Sequence, residues 1–399
     1  MALLKGLFVS FKQLLEDTAI PFSNIVGFAS DNCATIIGAQ SGFQARLKKE
    51  IPSLFVLGCV CHSFALCANA ATRRLPSWLE AFVKNVCFYF SRSSKRNVQF
   101  RLIQEVVQVH SHRVLKLSET RWLSREAVIE RKLEQWDALK LFFQSESATD
   151  KVDGAGLIYQ TMNTLGTKHM LLFVGHILAK VNCMNIEFQS EHYRLHKLHS
   201  SVVDEYRHLL SLFIKSDVLN TRSLADIDPN NPSIVKQMNT INLGGRCEAL
   251  LLRQPLGDKE NQFRGDALAF LKELCTQIRM RFPLSENGVL AQLKLMDPNA
   301  AFDVNKPSII PLAVNFPTAV PENLLDKLSD EWYELPSFRG SLEHLINKEP
   351  PAFWFALKEI KDGNNKVKFK TLAQLMCTLA VLPHSSACVE RVFFAAEHC

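Results

Sequence analysis

The sequence predicts an α/β fold that is helical over most of its length. Three observations carry this. The first 75 residues alternate helical and strand-like patterns. From Trp78 onward apolar side chains keep helical spacing, with no convincing period-two strand. The composition is globular, 47% apolar and 22% charged over 399 residues, which excludes wholesale disorder and leaves room for two or three domains.

Leu3–Asp17 carries Leu4, Leu7, Phe8, Phe11, Leu14 and Leu15 at helical spacing. Ile25–Ala29 is a short apolar run ending at Ser30-Asp31-Asn32, the pattern of a buried strand whose carboxyl end presents a carboxylate. Gly38 and Gly42 frame a turn, and a helix starts at Phe43. Leu54–Val60 repeats the strand pattern, and Ser63–Ala71 comes next as a helix. Beyond it, Leu79, Phe82, Val83, Val86 and Phe90 form one helical stripe, and Val128, Leu133, Trp136, Leu139, Phe142 and Phe143 form another. Residues 305–321 carry Pro307, Pro311, Pro317 and Pro321 and predict an extended connection. Helices are expected again over Leu324–Trp332, Pro351–Ile360 and Thr371–Leu379, with a last one beginning near Ser385.

The net charge of +6 is unevenly placed: residues 92–131 hold nine Lys/Arg and four Asp/Glu, a local balance of +5. Such a stretch suits a polyanion or a solvated helix face. Eleven cysteines, an odd number in a long chain whose first fifteen residues have no cleavage-site pattern, predict a reducing compartment and not a disulfide framework. Ile51–Thr72 has no charged residue and could span a bilayer, but Pro52, His62 and Asn69 favour a buried strand followed by a buried helix.

Four motifs carry chemistry. Asp31, just past a strand, sits where α/β sheets place ligand groups, or else it caps the next helix. Cys59-Val60-Cys61-His62, with Cys67 nearby, supplies zinc-type ligands without a second ligand pair, or lines a cleft without metal. Arg92, Lys95, Arg96 and Arg121 suit phosphates and Trp122 suits a base; the alternative is a solvated turn and a packing indole. In Leu382–Phe394 a Pro-Ser turn opens a helix whose apolar side chains surround Glu390 and Arg391, as a functional pair or an internal ion pair.

In order, these motifs are Ser30-Asp31-Asn32 with Gly38 and Gly42, Cys59-x-x-His62, Ser91-x-Ser-x-Lys-Arg, Thr120-Arg121-Trp122-Leu123-Ser124 and Leu382-Pro383-x-Ser385-Ser386-Ala387-x-x-Glu390-Arg391-x-Phe393. The series resembles the hAT superfamily of DNA transposases and the host proteins derived from them, over roughly residues 20–145 and 325–399. The terminal Ser-Ser-Ala-x-x-Glu-Arg-x-Phe motif is the most specific. It resembles the hAT C-terminal dimerisation region.

The resemblance implies a partial RNase H-like core interrupted by a large all-helical insertion. It divides the chain into a truncated core segment (1–110), the insertion (111–325) and the dimerisation region that returns to the core (326–399). The family uses an Asp-Asp-Glu set with a divalent metal, normally Mg²⁺. By position Asp31 matches the second Asp and Glu390 the Glu, and these two would be the metal ligands. Trp122 matches a tryptophan that helps hold a flipped base, and Cys59 and His62 match a Cys-x-x-His near the active site.

The family's first Asp lies on a strand well upstream of the second, whereas the thirty residues before Asp31 read as a helix and a turn. The expectation is therefore an N-terminally truncated, catalytically inactive, nuclear protein needing no cofactor. It would pair with itself or with related hAT-type chains, and could contact DNA through Arg92, Lys95, Arg96, Arg121 and Trp122. No membrane and no small-molecule substrate is expected. The alternatives are a fragment of an active transposase, which would cut and transfer DNA strands with Mg²⁺, and a helical interaction protein stabilised by zinc at Cys59, Cys61, His62 or Cys67.

Overall fold

Two four-residue strands, β1 (Gly27–Ser30) and β2 (Phe55–Gly58), pair in parallel with Gly27 opposite Phe55 and Ser30 opposite Gly58. The remainder of the computed structural model, which describes residues 2–91, 93–115, 123–149, 153–386 and Val389, is dominated by helices. Among the described residues helix accounts for 69% and strand for 3%, so helical packing builds most of the core and the sheet serves to place a few residues. The α/β alternation of the first 75 residues is present, and so is the mostly helical character.

The chain divides into two compact units, one of Met1–Ser63, Ile186–Asp204 and Phe282–Cys399, the other of Phe64–Asn185 and Glu205–Arg281. In the first, Phe43, Leu47, Ile51 and Leu54 form a buried cluster against Phe8, Phe11 and Phe28. The Phe43 ring meets Phe8 at 5.7 Å and Phe11 at 5.5 Å, both edge-to-face, the arrangement the ring quadrupoles favour. The helical pattern of Leu3–Asp17 is realised as the Ala2–Asp17 helix that delivers these two rings.

Toward the other end of the same unit, Trp332 and Trp354 are fully buried with their indole N–H groups satisfied by Pro307 O (3.0 Å) and Met296 O (2.7 Å). Glu331, also buried, accepts the Leu372 N–H at 2.7 Å and so ties the Leu325–Glu334 helix to the Lys370–Ala380 helix. Residues 305–321 are not the extended connection expected from four prolines. Ile309, Leu312, Ala313 and Phe316 are buried, and Ile310–Ala313 makes a helical turn. Proline is tolerated in the first turn of a helix, where its missing N–H has no partner to lose, and the apolar residues between the prolines then supply core. Lys306 is buried here too, its Nζ 4.0 Å from the Trp332 ring centre and 2.6 Å from Trp332 O; burial lowers its pKa to about 8.

In the second unit the two predicted stripes are buried, apart from the half-buried Leu133. Tyr89, Phe90, Phe100, Phe142 and Phe143 form one aromatic cluster, with Phe90 4.9 Å from Phe142 and 5.0 Å from Phe100. The Thr167–Phe188 helix is long and apolar enough to cross a membrane, yet 67% of its most apolar window is buried inside the protein, the environment of a core helix.

Candidate functional site

The carboxyl end of β1 is where the chain gathers residues far apart in sequence. The Cys59 N–H donates to Ser30 O at 2.7 Å and closes the sheet. Asp31 comes directly after Ser30 and is exposed. Its Oδ1 accepts the Cys33 N–H at 3.3 Å, so the carboxylate is held by its own turn; the Ala34–Ile37 helix beyond it starts from Cys33 without a side-chain cap.

Asn32 turns the other way. Its Nδ2 donates to Ser63 Oγ at 2.8 Å and to Cys59 O at 3.4 Å, bridging the two strand ends. A side chain at residue 58 would run into the Asn32 amide, so Gly58 is required by that close approach.

Cys59 precedes the Val60–Thr72 helix and is 2% exposed. Its sulfur receives a hydrogen bond from the Cys61 side chain, then from the Ser386 hydroxyl, the Ser386 N–H and the His62 N–H. Together these outweigh burial and bring the thiol down to about 5. The helix starts at Val60, earlier than the Ser63 the sequence suggests. His62, near its start, is exposed.

Ser386 arrives from the far end of the chain. Leu382 is buried and packs over Gly27, where an added Cβ would lie 2.6 Å from Leu382 Cδ2 and 3.5 Å from Pro383. His384 Nε2 lies 3.2 Å from Ser190 O. The return places Ser386 and Val389 on a cleft of about 620 Å³ that they share with Asp31, Ser30, Phe28 and Phe11.

Of the predicted site residues, the structure thus brings together Asp31 and Cys59, with His62 one helical turn away. Glu390, Arg92, Arg121 and Trp122 lie outside the described residues. Asn32, Ser63 and Ser386 join the site without a role assigned from sequence. Asn32 is legible beside Asp31, and Ser386 lies in the terminal motif, but nothing local marks Ser63.

For a divalent ion the described residues offer one carboxylate, Asp31, and the hydroxyls of Ser30 and Ser386, fewer acidic oxygens than such an ion selects. No group of three or more His, Cys, Asp or Glu is placed to hold a metal among the described residues. Cys67 is fully buried and its thiol is pushed up to about 12 by burial, the state of a packed and unreactive cysteine.

On the basic stretch, Lys95 is exposed. Arg96 is not a free cation: its guanidinium stacks 3.7 Å over the Tyr89 ring and donates to Tyr89 O at 3.2 Å. Its own N–H is capped by Ser93 Oγ at 3.3 Å, which starts the Ser94–Val107 helix. Arg96 therefore anchors that helix start to the aromatic cluster.

No protein-family model matches the chain, and no solved structure matches it significantly.

Proposed function

We propose that this chain is an hAT-type transposase-derived protein that associates with like chains through its C-terminal region and contacts DNA phosphates, without cutting DNA. One observation supports this above the others: residues 382–386 return to the end of β1 and set Ser386 and Val389 beside Asp31 and Cys59. That is the neighbourhood an RNase H-like core of this family would have, with a C-terminal motif coming back to a strand-end Asp and a Cys-x-x-His.

In this reading residues 1–110 are core, 111–325 are insertion, and 326–399 carry the dimerisation region. Asp31 and Glu390 match two of the family's three carboxylates; among the described residues no further Asp or Glu lines the cleft beside Asp31, and two-ion strand cleavage uses the full set. Association and phosphate contact are what these residues can do by themselves. Localisation in the nucleus and a homodimer or mixed hAT-type partner belong to the same reading.

The test is to incubate the purified chain with labelled duplex and single-stranded DNA in Mg²⁺ and to follow binding and integrity together. The expected result is salt-sensitive binding with the DNA left intact. Cleavage that disappears in Asp31→Asn would instead establish the enzyme reading, and absence of any DNA binding would remove the phosphate-contact part.

A further inference from the structure

The Ser94–Val107 helix ends at Gln108, whose left-handed φ of +58° turns the chain back over the helix. The loop beyond Gln108 is held by two buried amides. Gln104 and Gln135 are each 1% exposed. Gln104 Nε2 donates to His112 O at 2.9 Å and to Gln135 Oε1 at 2.8 Å, its Oε1 accepts from Ser111 Oγ at 3.1 Å, and Gln135 Nε2 donates to His110 O at 3.0 Å. Burying two amides is costly unless they are satisfied, and here they are satisfied by the loop. Residues 110–112 are therefore a fixed wall.

Between this wall and the helix runs a groove of about 870 Å³. Arg101 from the helix and Arg113, just past the wall, both line it, and both are exposed. Ser94 and His112 line it too, and no Asp or Glu is among the described lining residues. Glu134, the carboxylate paired with the wall, is engaged by His112 Nδ1 (2.8 Å) and Arg131 Nε (3.0 Å). Val98, 57% exposed, gives the same groove an apolar patch on the helix side.

We infer that this groove is a binding site for the backbone of a single DNA strand, with Arg101 and Arg113 on successive phosphates and Val98 against the sugar or base edge. The inference rests on the DNA-contact reading above and moves the contact from the outer turn at Lys95 into the groove. Arginine suits phosphate because its planar fork presents paired donors. Opposing cations along a cleft whose described lining has no carboxylate are the arrangement that tracks a strand, and an apolar patch offers a duplex nothing, since a duplex turns phosphates outward.

The test uses the full chain and a fluorescently labelled mixed-sequence single-stranded oligonucleotide, followed by anisotropy across a salt series. Arg101→Ala and Arg113→Ala change exposed side chains, so circular dichroism should match the unchanged protein. Each should weaken binding about tenfold and lower the slope of log affinity against log salt by about 0.7. Lys95→Ala should cost less than about threefold, and an unlabelled duplex should compete poorly. If the double variant binds as well as the unchanged protein while Lys95→Ala loses binding, the groove is wrong and the DNA reading stands. Equal competition by duplex would overturn the single-strand assignment, and no binding by the unchanged protein would overturn both readings.

Discussion

The end of β1 and the groove beside the Ser94–Val107 helix are built by opposite strategies. At the strand end, side chains more than 300 residues apart are brought together: Ser386 bonds Cys59, and Leu382 covers Gly27. At the groove everything lies between Ser91 and Gln135, and two buried amides fix a short loop. The first site depends on tertiary packing and places one carboxylate and one lowered thiol beside an apolar cleft. The second depends on local hydrogen bonds and presents cations on a polar wall. Damage to the chain's far end should therefore disturb the strand site, whereas the groove should fail only through its own residues.

The largest effect expected is from Leu382→Ala. Leu382 is 2% exposed, and deleting a buried leucine side chain costs about 2–5 kcal/mol. Urea denaturation should show that loss, together with a rise in the Cys59 thiol pKa as Ser386 is released.

Gln104→Ala should cost less, about 1–3 kcal/mol, because it strips His112 O and Gln135 of a buried donor. Hydrogen exchange should quicken across residues 109–113 and leave β1 protected. Faster exchange at β1 in this variant would break the contrast between the two sites.

The thiol of Cys59 sharpens the contrast through pH. It titrates near 9.0 when unfolded and at about 5 in the fold, so between those values the folded chain binds fewer protons than the unfolded one. Its contribution is fully present above about 9 and is lost as pH falls through about 5, so stability should rise with pH across that window. Denaturation midpoints measured against pH should show this rise, and Cys59→Ser should flatten it. The smallest effect is expected from Lys95→Ala, an exposed side chain whose loss should leave stability within about 0.5 kcal/mol by thermal denaturation.

Much of the fold was legible from spacing alone. The stripe Leu79, Phe82, Val83, Val86 and Phe90 is buried as its period requires, and both short strands lie within two residues of their apolar runs. The 305–321 segment misled because proline content marks a loop only when the residues between the prolines have no core to enter. Asp31 and Cys59 were legible at the strand end because strand ends present ligand groups. The buried Gln104 and Gln135 were not, since an amide in a helix or in the turn between two helices looks like a surface residue until the loop it satisfies is seen. Arg96 shows the same limit: as a sequence element it is a cation, and in the fold it is a stacking anchor on Tyr89.

Sedimentation equilibrium of the full chain at micromolar concentration tests the association reading most directly. A mass twice the 45.1 kDa of the chain is expected, reduced to a single chain by Val389→Glu at the exposed lip of the strand-end cleft. A monomer at every concentration, with DNA present or absent, would contradict it.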